Sequence, residues 1–323
     1  MTKRPASISL DLDNQWAYMK TQGLIGPGVY PSYLDRIVPR ILDQLRIQKQ
    51  SITFFVVGKD AEMQENHGAL AAIASAGHEM ANHSYLHEPW LQNYSETELR
   101  SDFDKTEAAI AAISGEVPVG FRGPGFCASS GIRKMLMERG YLYDASSFPT
   151  VMSPVARAYF MLKSNLPPEE KKKRSGLYGS LSGAFGELNP FEIEPGLLEM
   201  PVTTMPLLRL PVHMSYLMFL AQHSDALARL YWRSALLLCR ARGVQPHMLL
   251  HPTDFFDAAD VPEMAFFPGM RIPAARKMAL TAFVIESLQS HYRVVPMAEH
   301  ARITIQPPST TKALTSSQPS LLP

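Results

Sequence analysis

Cysteine is nearly absent: Cys127 and Cys239 are the only two in 323 residues. A disulfide framework is excluded, and the two thiols read as buried groups of a protein kept in a reducing compartment. There is no run of 18 uninterrupted apolar residues, the least a membrane-spanning helix needs. Lys3 and Arg4 are followed by Pro5-Ala6-Ser7-Ile8-Ser9-Leu10 and then acids, not by a long apolar segment. No secretion leader is read there, so the expected location is the cytoplasm. Charge of one sign is also missing: 31 Lys plus Arg oppose 30 Asp plus Glu, a net of +1. Phosphate backbones are bound by concentrated basic charge, so nothing in the overall balance favours a nucleic-acid partner. No internal repeat is present. What the chain does have is 46% hydrophobic residues against 19% charged, enough to bury a large core.

The first 150 residues alternate short β-like runs with amphipathic helices. Ser7 to Leu12 reads as a strand, and the spacing of Leu34, Ile37, Val38, Ile41, Leu42 and Leu45 predicts a helix. A buried strand, Ile52 to Val57, precedes Gly58, and a small-residue helix from Leu70 to Ala76 stops at Gly77. Ser95-Glu96-Thr97-Glu98 is a capping box ahead of Leu99, Phe103, Ile110 and Ile113. A helix with Ile132, Met135 and Leu136 ends at Gly140, and Tyr141 to Asp144 resumes strand character. Alternation at this interval implies an α/β protein built of βα units, whose chemistry sits at the carboxyl ends of parallel strands. From about 151 to 194 the pattern weakens around Pro167-Pro168 and the run Lys171 to Arg174, which reads as an insertion or long loop with a solvated charge run. Strand Leu197 to Val202, a long helical stretch from Met214 to Arg242, strand His247 to Leu250, helix Pro273 to Gln289 and strand Arg293 to Met297 follow. Residues 305–323 read as a frayed tail.

Four places have the residue types for chemistry. Asp11 and Asp13 end the first strand two positions apart, so both carboxylates face one site. His83 and His87, four apart, would share one face of a helical turn at metal-ligand separation. His247 and His251 have the same spacing, so one such pair proves little. His78-Glu79 precedes Asn82 with His83 one residue late, so the helical zinc-protease pattern fails. Phe121-Arg122-Gly123-Pro124-Gly125-Phe126 combines an arginine able to grip a carboxylate with backbone amides able to receive an oxyanion. His251 follows a buried strand. Trp16 has two readings, a platform for a sugar face or packing beneath a lid. The stretch from Met205 to Arg242, with Arg209, Arg229, Arg233, Arg240 and Arg242, reads first as a core helix and second as a peripheral membrane contact.

The order of these motifs resembles the polysaccharide deacetylase family, the NodB-homology carbohydrate esterases, closely over residues 7 to 150 and loosely over 195 to 300. The Asp-x-Asp form, with Leu12 between the acids and Asn14 after them, is similar to a branch that includes intracellular, lipid-linked-sugar and small-amide enzymes. The resemblance implies a distorted (β/α) barrel of about seven strands over residues 1–304, interrupted by the 151–194 insertion. It implies a metal-dependent amidohydrolase with Asp11 as general base, Arg122 as its orienter and His251 as general acid. Asp13, His83 and His87 would be the ligands of a divalent metal, zinc first, while Trp16, Gly125 and Phe126 would meet the substrate. Asp144 sits where it would pair with Arg122. The implied partner is an N-acetylated sugar, free, polymeric or lipid-linked. A small cyclic or linear amide, as in allantoinase-like relatives, is the alternative substrate, and a silent carbohydrate-binding barrel is the alternative of another class.

Overall fold

The computed structural model describes residues 3–163, 167–173 and 182–305. In chain order the strands are β1 (Pro5–Asp11), β2 (Thr53–Val56), β3 (Glu79–Asn82), β4 (Gly120–Phe121), β5 (Tyr143–Asp144), β6 (Phe191–Glu194), β7 (Leu197–Glu199), β8 (His247–Leu250) and β9 (Arg293–Val294). The helices are α1 (Gln15–Thr21), α2 (Leu34–Ile47), α3 (Gly58–Glu62), α4 (His67–Ser75), α5 (Glu96–Ser114), α6 (Ser130–Glu138), α7 (Ser153–Lys163), α8 (Pro168–Lys173), α9 (Met214–Ala221), α10 (Asp225–Arg242), α11 (Ala274–His291) and α12 (Met297–Ile305). Among the described residues no helix is long and apolar enough to cross a membrane.

The strands form one curled sheet in the order β6-β7-β5-β4-β3-β2-β1-β8, with β9 added beside the start of β1. All pairings are parallel except β6 with β7. Residues 200–203 bring the two ends together: the Met200 amide donates to Asp144, that of Val202 to Ser147, and that of Thr203 to His247 on β8. The sheet is thus a distorted (β/α) barrel. Strand alternation explains its two faces. Ile8 and Leu10 of β1 pack outward in a cluster with Ile37, Ile41 and Val284 of the helical layer. Ser7, Ser9 and Asp11 point inward, where they meet His300, His247 and Arg122. Helix α12 shares an inner cluster with Phe55, Ala81, Tyr143 and Leu198 through Met297, Ala298 and Ala301. Its first amides donate to Thr53 Oγ1 and Glu79 Oε2 at 2.8 and 2.9 Å.

Local chemistry sets the boundaries. Both halves of the Ser95/Glu98 capping box form, and Gly115 ends α5 in the left-handed region, where a side chain would cost about 1 kcal/mol. Gly120 is required for a different reason: a Cβ there would lie 1.9 Å from the ring of Tyr143, which crosses β4 from the adjacent strand.

Several sequence expectations change. Among the described residues the sheet has nine strands rather than about seven; β6 is one that was not expected, since it falls in the 151–194 segment, whereas the expected strand at Arg293 is present as the short β9. The 151–194 segment, expected as a loop, holds α7, α8 and β6. Lys171 to Lys173 lie on α8, and Arg174 lies outside the described residues. The long helix from Met214 breaks at residues 222–224, where the Ser224 side chain caps α10. Helix α12 spans residues 297–305, where the sequence reading had placed Met297 at the end of a strand and Ile305 in the tail and had assigned no element between them; residues 306–323 of the tail lie outside the described residues.

Candidate active site

Asp11 closes β1, and Arg122 follows β4 three strands away. Arg122 is fully buried. Its Nη1 donates to Asp11 Oδ1 and, at 2.9 Å, to Ser9 Oγ. Nε reaches the Ala145 carbonyl at 3.0 Å, Nη2 lies 3.0 Å from His247 Nε2, and the guanidinium stacks 4.1 Å over the Phe55 ring. A buried guanidinium needs every donor occupied, and these partners come from β1, β2, β8 and the end of β5. Asp144 does not pair with Arg122 as expected. Its Oδ1 accepts the Ser146 amide at 3.0 Å and the Ser146 hydroxyl instead, because the β5 chain presents the Ala145 carbonyl to the guanidinium.

Asp13, His83 and His87 converge. One donor atom from each lies within 4.8 Å of the others. His87 Nε2 is 3.0 Å and His83 Nε2 3.5 Å from the same Asp13 oxygen, and His83 Nε2 is 3.9 Å from Asp11 Oδ2. Neither approach has hydrogen-bond alignment: Asp13 Oδ1 is buried without a hydrogen-bond partner. His83 Nδ1 meets the Arg122 carbonyl at 2.7 Å; a carbonyl only accepts, so the proton sits on Nδ1 and Nε2 keeps its lone pair. A buried, unpartnered carboxylate oxygen facing two imidazole nitrogens fits a divalent cation. Burial pushes the Asp13 carboxyl up, but the His87 and His83 imidazoles outweigh it and hold the group well below its usual value. Burial pulls His83 down, and the two aspartates more than reverse this, so it lies above its usual value.

The histidine pair is built by a loop, not by the helical turn expected from its spacing. Ser84 and His87 both have left-handed backbones, φ 61° and 51°, a strained conformation for residues with side chains. Neighbouring groups hold the loop. The Ser84 amide donates to Asn82 Oδ1, the His87 amide to Ser84 Oγ, and the Tyr85 amide to both oxygens of Asp102 on α5. The first amides of α3, from Gly58 and Lys59, donate to the carbonyls of Ser84 and Tyr85. On the other side, the Tyr33 hydroxyl donates to the Asp13 carbonyl, and Asn14 caps α1 while donating to Asp60 Oδ1 at 2.7 Å. Burial pushes the Asp60 carboxyl up to about 7.

The remaining candidates fall into place unevenly. Leu10 and Leu250 are in register, so His251 lies just past β8 at the level of Asp11 on β1. Its Nδ1 is 3.2 Å from Ser215 Oγ and its amide donates to Asp254 Oδ2 at 2.8 Å. Gly125 and Phe126 are both left-handed, φ 62° and 63°. The Phe126 amide is used within its own turn, donating to the Gly123 carbonyl at 2.9 Å, which corrects its expected part in receiving an oxyanion. Trp16 is fully buried, its indole N–H on Asp60 Oδ1 at 2.8 Å and its ring edge-on to Tyr30. Packing beneath a cover is the reading that holds, and the ring has no face open to a sugar. The sequence reading missed Ser9, Tyr33, Asp102 and the role of His247. For Ser9 the signal was present, since it shares the inward face of β1 with Asp11; Asp102 had none.

Residues 26–143 match the polysaccharide deacetylase family profile. A peptidoglycan-N-acetylglucosamine deacetylase from Bacillus cereus is 37% identical over 86 residues, 27% of this chain and 30% of the relative. A peptidoglycan deacetylase-like protein of Gibberella zeae is 31% identical over 107 residues, 33% of this chain and 30% of that one. These matches therefore span less than a third of either relative. A solved Mycobacterium smegmatis structure assigned as a polysaccharide deacetylase aligns over 99% of this chain and 96% of its own, with a TM-score of 0.56 at 22% identity, which shows a shared fold. His83, His87 and Arg122 lie within the segment that matches the polysaccharide deacetylase family profile.

Proposed function

We propose that the chain is a metal-dependent hydrolase that removes an N-acetyl group from an amino sugar of a glycan. The observation that carries this reading is the meeting of Asp13, His83 and His87 beside a second carboxylate, Asp11, gripped by Arg122. One carboxylate and two imidazoles would hold a divalent cation with positions left open, and the nitrogen-rich set suits zinc. Such an ion supplies Lewis acidity that polarises an amide carbonyl and acidifies water.

The chain's own groups supply the proton traffic. Asp11 Oδ1 is taken by Arg122, so Oδ2, on the side of His83, is the oxygen that accepts a proton from the attacking water. Arg122 acts through Asp11 and is a positioning residue. The Gly125 amide donates to the carbonyl oxygen as negative charge builds on it. His251 protonates the departing amine, the C–N bond breaks, and the products are acetate and a free amino sugar. The names of the relatives, a peptidoglycan-N-acetylglucosamine deacetylase and a peptidoglycan deacetylase-like protein, support a glycan as the substrate class.

The test pairs metal analysis of the purified protein with acetate release from N-acetylglucosamine oligomers. Stoichiometric metal and acetate are expected. Metal with product only from a small cyclic amide would move the substrate class. Oligomer binding with neither metal nor acetate would leave a silent binding barrel.

A further inference from the structure

Between Glu199 and Asp254 the chain carries five arginines, Arg209, Arg229, Arg233, Arg240 and Arg242, against a single acid, Asp225, although the chain as a whole is balanced to +1. Asp225 is already paired, its Oδ1 lying 2.8 Å from Arg276 Nη2. The fold gathers this charge with apolar side chains on one flank. The helical period places Ala226, Leu230, Arg233, Leu237, Arg240 and Ala241 of α10 on one face, and all six are exposed. Leu230 and Leu237 are each more than half exposed, as are Leu207 and Leu208 at the tip of a neighbouring hairpin. That hairpin is closed by the antiparallel bridge of Thr204 with Pro211 and by the Met205 amide on the Leu210 carbonyl at 2.8 Å. It runs beside α10: the Tyr231 hydroxyl donates to the Pro211 carbonyl at 2.9 Å, and Leu207 and Arg209 line one cavity of about 410 Å³ with Arg242. Leu207 has a left-handed backbone, φ 73°, a strained conformation kept while its side chain stays mostly in solvent. On the other border of α10, Arg229 and Arg233 lie over the Phe283 ring of α11 at 4.3 and 5.3 Å, which fixes the guanidiniums without using their N–H donors.

We infer that the outer face of α10, with the Leu207-Leu208 turn, is a docking surface for an anionic lipid bilayer. The inference goes beyond the hydrolase reading and does not rest on it. From Ala226 to Ala241 the face is about 22 Å long, and a helix side is convex, which suits a deformable bilayer surface better than a pocket in a partner protein. Leucines on it enter the boundary between headgroups and acyl chains, while arginines of the same stripe reach lipid phosphates with two N–H groups each. The contact is peripheral, since among the described residues no helix is long and apolar enough to cross a membrane. A second copy of the chain fits less well: two such faces would set arginine against arginine with no acid between residues 226 and 242 to separate them.

The test is flotation of the full chain with vesicles of phosphatidylcholine mixed with phosphatidylserine, set against phosphatidylcholine alone. The wild type is expected to float with the mixed vesicles, to stay behind with the neutral ones, and to be released as salt is raised. Arg233→Ala combined with Arg240→Ala should weaken binding about thirtyfold, the worth of two basic side chains near an anionic surface. Leu230→Ser combined with Leu237→Ser should weaken it about tenfold through lost apolar burial. Val117→Ser, at an equally exposed apolar side chain outside this flank, should bind like the wild type. Melting temperatures confirm that each variant is folded. A wild type that ignores the mixed vesicles or binds the neutral ones equally, or double variants that keep the wild-type affinity, would overturn the docking surface. A dimer in solution that the leucine pair dissociates, with no vesicle binding, would overturn it too and assign the face to a second copy.

Discussion

Nη2 of Arg122 stands 3.0 Å from Nε2 of His247, and both side chains are buried. A guanidinium only donates, so this nitrogen must carry a lone pair. Burial first, and the Arg122 charge second, hold the His247 imidazole well below its usual range. His247 is therefore a neutral backstop that fixes the guanidinium against Asp11. His247→Ala should lower kcat about tenfold with metal content retained, and lower stability by about 1–3 kcal/mol because a buried donor loses its partner. His247→Lys, which opposes one cation with another, should cost more. Chemical denaturation and acetate release measure the two effects.

Asp11 and Asp13 should separate cleanly. Asp11→Asn keeps the shape of the side chain and an acceptor for Arg122 but removes the base. Metal content should stay near that of the wild type while kcat falls by about 10² to 10⁴. If turnover survived, the proton would be going elsewhere.

His83→Ala and Asp13→Ala each remove one of three donors and should strip the metal, as read by elemental analysis after dialysis. Chelation of the wild type should abolish acetate release, and added divalent zinc should restore it. Unchanged metal content in either variant would show that the ion lies elsewhere.

Asp60 gives a pH-dependent outcome. Its carboxyl, buried beneath Trp16 and Asn14, is pushed up to about 7, whereas an unfolded aspartate titrates near 3.9. With the folded value raised, the folded state holds the extra proton. The stabilisation is complete below about pH 4 and is lost as pH rises through about 7. Asp60→Asn mimics the protonated form. It should match the wild type at pH 4 and exceed it by about 2–4 kcal/mol at pH 8, measured by denaturant midpoints at the two pH values.

Much of the scaffold was legible before any coordinates. The apolar spacing from Leu34 to Leu45, the Ser95/Glu98 box and the glycines at 77 and 140 are local devices, and each became the element or helix end it encodes. The carboxylates and histidines were legible too, because residue type and position after a strand narrow the candidates. The reason His83 and His87 meet was not legible. The sequence reading assigned their spacing to a helical turn, whereas the structure uses two left-handed residues held by Asp102 and the start of α3. Trp16 failed for the same reason: an aromatic after an acidic pair is equally a platform or a plug, and the choice depends on Tyr30 and Asp60, which the neighbouring residues do not reveal.

The amino-acid order alone settled elements such as β1, β2, β8, α2 and α5 and which side chains end up at the carboxyl edge of the sheet, since periodicity and capping act over a few residues. Only the tertiary structure decided that Ser9, Arg122 and His247, set in three different strand regions, share one hydrogen-bond network with Asp11. It also decided that Phe126 and Phe148, from the chain after β4 and β5, meet His213 and Tyr216 at the start of α9. Those relationships depend on strand register and on how far the sheet curls, quantities set by the packing of the whole chain and written in no single stretch of it.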